Sequence, residues 1–160
     1  GDTIPYVKLP TVYIFKPLKF KNRREMAKYY KLIRDVKKVL PISKEINRAI
    51  IETYEYLQTI PTEKGRQKHL KAVEKGLKEQ YTPRMKTLSF SQGKLLIKLV
   101  DRQTHSTSYE LVKAFMGPFK AGFYQTFAAL FGASLKKQYD PTGDDALTER
   151  VILMVESGQL

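Results

Sequence analysis

The chain has 160 residues, is 42% apolar and 11% aromatic, and carries a net charge of +13. That length and composition suit one domain with a real core and exclude a disordered chain. The absence of cysteine excludes a disulfide scaffold and thiolate chemistry, though it does not fix the compartment.

The charge is unevenly placed. Between Lys16 and Arg48 twelve Lys/Arg face three acids, a net +9, whereas from Ser89 to Leu160 eight face seven. The basic field belongs to the first half of the chain. It suits nucleic acid, an anionic membrane surface or an acidic polymer, and its plain alternative is a set of solvated helix faces. The start at Gly1 rather than Met points to a processed product or a remnant of cloning. Neither a signal peptide nor an uninterrupted transmembrane span is expected.

In chain order, Thr3 to Phe15 contains β-formers broken by Pro5 and Pro10, with Pro17 just beyond. Residues 1–17 therefore read as an extended arm with at most a short strand, lying across the helices or pairing with another molecule. Asn22 to Val39 is an amphipathic helix capped by Asn22. Its apolar row includes Met26, Tyr29, Ile33, Val36 and Leu40, and Arg24, Lys28, Lys31, Arg34 and Lys38 take the other side. Pro41 either kinks this helix or separates it from a second one, which Ser43 would cap and which ends near Gln58. Thr62 to Gln80 has only a thin apolar row, Leu70, Val73 and Leu77, so it belongs at the periphery. Tyr81 to Thr87 reads as a turn around Pro83.

Ser89 to Gln103 is the most apolar helix that still carries charge. Leu95, Leu96, Ile97, Leu99 and Val100 cover most of its circumference, leaving Lys94, Lys98 and Asp101 on one stripe. This pattern predicts a central helix with one polar edge. Thr104 to Ser108 is a polar break. A short helix to Met116 and another from Phe119 to Phe131 follow, then a polar connection and a last helix from Asp144 to Glu156. Between Ala114 and Ala133 a buried helical hairpin is expected, with an interfacial membrane segment as its alternative. The whole reads as a single mostly α domain, a bundle of about six helices with the arm at its N-terminus.

Several constellations could carry chemistry. His69 and His105 lack a second ligand at metal spacing, so no metal or cofactor is expected. Asp140, Asp144, Asp145 and Glu149 lack the ligand alternation of a calcium loop and read as a turn followed by helix capping. Lys98, Asp101 and Arg102 read as an ion pair fixing helix register or as the floor of a polar pocket. Gln125, a lone amide among aromatics, reads as a satisfied core residue, or as the far wall of that pocket. Tyrosines interleave with Lys and Arg, as in base-stacking surfaces and also at the rims of helical cores. No phosphate loop, nucleophile elbow or paired catalytic carboxylates appear, so no catalytic residue is assigned.

The run SQGKLLIKLVDRQTHSTSYELVKAFMGPFKAGFYQTFAALFGASLKKQYDP, then GDDALTE, resembles the family called domain of unknown function 4294 from Bacteroidetes-type bacteria. GDTIPYVKLP and RDVKKVLPISK are similar to its other landmarks, although Leu40 and Ile42 stand where that family more usually carries tyrosines. The resemblance implies exported envelope proteins and supplies no activity to carry over. The functional expectation is a non-catalytic binding or scaffolding module of the cell envelope. Arg24, Lys28, Lys31, Arg34 and Lys38 would face an anionic envelope component or another protein. The alternatives are nucleic-acid binding through the same helix and an enzyme with a pocket at Asp101, Arg102 and Gln125. The arm adds the expectation of strand addition to a partner or to a second copy.

Overall fold

The structure, a computed structural model, describes residues 9, 11–106, 125, 129 and 139–160. Among them the architecture is helical and no strand is present. The four helices are α1 (Arg23–Leu57), α2 (Glu63–Lys86), α3 (Phe90–Ser106) and α4 (Ala146–Glu156). Four helices are described where about six are expected, and no strand forms in the described part of the arm. The expected helices around Ser108–Met116 and Phe119–Phe131 lie outside the described residues, as does the membrane alternative for that stretch. No described helix is long and apolar enough to cross a membrane.

Two proline readings account for part of the difference. Pro41 lies inside α1, which continues through it for 35 residues. An interior proline costs roughly 3 kcal/mol. Here its ring is exposed, while Val36, Val39, Leu40, Ile42 and Ile46 on the opposite side are buried. Each such side chain returns about 1.5–3 kcal/mol, so packing outweighs the lost hydrogen bond. Ser43, expected as a cap, instead returns its hydroxyl to the Leu40 carbonyl at 2.8 Å. Pro83 repeats the pattern. The expected turn at Tyr81–Thr87 is the last part of α2. Leu77, Tyr81 and Met85 form one buried row at helical spacing. Glu45 of α1 accepts from Tyr81 at 3.3 Å and Arg84 at 2.6 Å, tying this end down.

The starts of α1, α2 and α3 each have a local cause. Asn22 Oδ1 accepts the Glu25 amide at 3.0 Å, and Thr62 Oγ1 accepts that of Gly65 at 3.1 Å. A Cβ at Gly65 would press on that same Thr62 oxygen. Ser89 and Gln92 exchange side-chain-to-amide bonds at 3.2 and 3.1 Å, a capping box at the start of α3.

α1 packs against each of the other three helices. α3 is apolar nearly all round, as expected: Leu95, Leu96, Ile97, Leu99 and Val100 are all buried. The hub, however, is α1 rather than α3. The described part of the arm runs extended along the C-terminal end of the chain. Gln159 bonds both the amide and the carbonyl of Tyr13 at 2.9 Å. Arg150 holds the Lys16 carbonyl at 2.7 Å and lies over the Phe15 ring.

Candidate functional site

The polar edge of α3 docks onto the segment that leads into α4. Lys98 Nζ donates to Asp145 Oδ1 at 2.5 Å, and the second oxygen of that carboxylate accepts the Asp140 amide at 2.9 Å. Asp101, 1% exposed, accepts the Tyr139 amide at 2.6 Å. Arg102 grips Glu149 through Nε at 2.8 Å and Nη2 at 3.0 Å, while the Tyr139 hydroxyl donates to the same carboxylate at 2.6 Å. What holds Lys98 is therefore a partner 47 residues downstream rather than a neighbour on its own helix.

The electrostatics of this latch follow from its geometry. The Glu149 hydrogen bonds hold the Arg102 guanidinium above its ordinary value. Burial pushes the Glu149 carboxyl up, yet the bonds from Arg102 and Tyr139 outweigh it and leave the carboxyl below the usual range. Burial, then the bond to Glu149, pushes the Tyr139 phenol well up. These groups satisfy one another, so the arrangement fixes position. Asp145 stands at the N-cap of α4, but its side chain makes no cap bond because Lys98 and Asp140 use it. The turn expected there does form: Asp140 Oδ1 accepts the Gly143 amide at 3.0 Å. A Cβ at 143 would overlap the Asp140 carboxylate, which accounts for the glycine.

One turn back along α3 the same edge meets α1 in an open cleft of about 270 Å³. Four cations line it, Lys28, Lys31, Lys94 and Lys98, against two acids, Asp35 and Asp145. Lys31 bridges the two helices, reaching Asp35 at 3.2 Å and Ser91 Oγ at 2.6 Å. Gln92 holds the other Asp35 oxygen at 3.1 Å. Both carboxylates are thus occupied internally, whereas Lys28 and Lys94 make no ion pair among the described residues. The sequence reading had placed Lys28 and Lys31 on one surface and Lys98 on another; folding brings them to one cleft. Lys94 is on the expected stripe with Lys98 but not among the expected pocket residues; the part played by Asp35, whose spacing of four from Lys31 was the available sign, and by Ser91, for which no sequence signal existed, was missed.

Arg24, Lys28, Lys31, Arg34 and Lys38 are all exposed along α1. Only Lys31 is ion-paired among the described residues. Met26 and Tyr30 are exposed on the same half of the helix. The other candidates are dispersed. Asp101 and Arg102 do not line this cleft, and neither does Gln125. Gln125 is helical and exposed, which corrects the expectation of a covered core amide. His69 packs on the Tyr56 ring at 4.6 Å. His105 falls inside α3, which runs to Ser106, and not in a loop. Among the described residues no group of three or more His, Asp or Glu could hold a metal ion.

No curated protein and no solved structure shows a significant match to the chain. A family model matches residues 2–154. That match spans nearly the whole sequence, and the chain belongs to the family described as Domain of unknown function (DUF4294).

Proposed function

We propose that the chain is a non-catalytic binding module of the bacterial cell envelope that holds an anionic partner against the N-terminal half of α1. The observation that carries this reading is the exposure of Arg24, Lys28, Lys31, Arg34 and Lys38 with four of the five unpaired among the described residues. A field of this kind attracts anions over about a Debye length, ~10 Å in ordinary salt. Met26 and Tyr30 add apolar surface among the cations, the composition of faces that settle on anionic interfaces. The non-catalytic part is supported by the engagement of Lys98, Asp101 and Arg102 on the α3 edge with Asp145, the Tyr139 amide and Glu149. The envelope is part of the proposal because the resemblance to domain of unknown function 4294 implies exported proteins of a Bacteroidetes-type lineage.

The test reverses the five charges, checks that the helical spectrum is retained, and measures sedimentation with anionic vesicles. Binding should be lost; unchanged binding contradicts the reading. A gel shift with single-stranded and duplex nucleic acid at low salt separates the runner-up. A salt-sensitive complex there, with none on vesicles, would move the partner to nucleic acid.

A further inference from the structure

We infer that the cleft between α1 and α3 is a binding site for a phosphoryl group, taken up as a dianion between Lys28 and Lys94. This rests on the anionic-partner reading above and narrows it to one place and one chemistry.

Charge comes first. Four ammonium groups face two carboxylates across the cleft. Asp35 is occupied by Lys31 and Gln92, and Asp145 by Lys98 and the Asp140 amide. The surplus is two positive charges, matching one dianion, and it sits on the two lysines without ion pairs among the described residues. Directional donors come second. Ser91 and Thr148 line the cleft, Ser91 in the first turn of α3 and Thr148 in that of α4. The Ser91 hydroxyl accepts from Lys31 at 2.6 Å and lies 3.3 Å from the Ser89 hydroxyl, a contact in which either can donate, so a ligand would compete with Ser89 for its proton. Lysines suit a tetrahedral phosphate as mobile point charges, whereas a planar carboxylate is better matched by an arginine fork, which this cleft lacks. Leu32 and Leu95 supply an apolar wall for the first carbons of a phosphate ester.

The experiment titrates the ¹⁵N-labelled full chain with potassium phosphate, ionic strength held constant with potassium chloride, and follows the amide spectrum. The expected result is saturable movement confined to Ser91–Leu95, Lys28–Leu32 and Thr148. Lys28→Gln with Lys94→Gln should weaken phosphate binding by at least about tenfold, since charge-assisted hydrogen bonds are lost. Arg34→Gln with Lys38→Gln removes the same net charge outside the cleft and should cost less than about twofold. The lysines exchanged are exposed and unpaired among the described residues, so folding should survive; the spectrum itself reports it.

The inference is overturned if wild type shows no saturable movement, or if the movement is scattered. It is also overturned if both variants lose affinity equally, a result that would leave the diffuse basic face intact. A second arm adds vesicles of phosphatidic acid in phosphatidylcholine. Displacement from them by free phosphate assigns the cleft to a lipid headgroup. Vesicle binding that survives saturating phosphate assigns it to a soluble phosphate ester. Both results concern the source of the phosphate; the spectral titration decides whether the cleft holds it.

Discussion

Replacing Glu149 with Gln keeps the shape of the side chain and removes the charge that Arg102 and Tyr139 share. In the native chain Arg102 bonds that carboxylate at 2.8 and 3.0 Å and Tyr139 at 2.6 Å. Breaking a fully buried pair costs about 3–5 kcal/mol. Arg102 and Glu149 are 17% and 20% exposed and Glu156 stands 3.7 Å from Arg102, so the expected loss is about 2–3 kcal/mol. In urea this is a fall in midpoint of about 1–2 M, read from helical circular dichroism. The pH dependence has a definite sign. Glu149 is held below its ordinary value in the folded chain. Its contribution is therefore present above the unfolded value, about 4.3, and is lost as pH falls through the lower folded one. The wild-type and Glu149→Gln stabilities should converge as the solution is acidified through that window. A difference below about 0.5 kcal/mol at neutral pH, within the ordinary range for surface substitutions, would refute the latch. So would a gap that stays constant into acid.

Pro41→Ala should stabilise the chain by about 1–2 kcal/mol, because the exposed site regains a helical hydrogen bond while the unfolded chain gains some freedom. Thermal melting measures it, and a lower melting temperature would mean that Pro41 contributes more through packing or chain rigidity than the regained bond returns. Gln159→Ala removes both bonds to the Tyr13 backbone. It should raise hydrogen exchange at Tyr13 at least about tenfold, the equivalent of ~1.4 kcal/mol of local opening, while leaving α1 unaffected. Unchanged exchange at Tyr13 would mean that the arm is held by other contacts.

Legibility in the sequence followed the range of the interaction concerned. The apolar rows of α1 and α3 were readable because helical spacing is a local property. Asn22 as a cap and the thin row of α2 were readable for the same reason. The effect of a proline depends on which side of the helix it faces and on what lies opposite, so Pro41 stayed open and Pro83 was misread. Leu77, Tyr81 and Met85 carried a usable clue, a spacing of four continuing across Pro83. Lys98 had a sequence neighbour of opposite charge at Asp101, and local spacing made that pair seem sufficient. Its actual partner lies 47 residues away, and nothing in either segment encodes the encounter. The cleft is the strongest case. Its lysines come from α1 and α3, and the hydrogen bond that joins the two helices there, Lys31 to Ser91, spans 60 residues. The residue types of the basic face were visible in advance; the meeting of Lys28 and Lys31 with Lys94 and Lys98 in one cavity was a product of packing.

The proposed role rests on the exposed cations of α1, and its most direct test is affinity for vesicles of phosphatidylglycerol in phosphatidylcholine across a salt series. Wild type and the variant with Arg24, Lys28, Lys31, Arg34 and Lys38 reversed to Glu are compared. Each cation near an anionic surface is worth roughly 1 kcal/mol, so the five should separate the two proteins by at least about a hundredfold at low salt. Wild-type affinity should fall steeply as salt rises, and the two curves should meet at high salt. Equal affinity at every salt concentration, or a wild-type affinity indifferent to salt, would contradict the account.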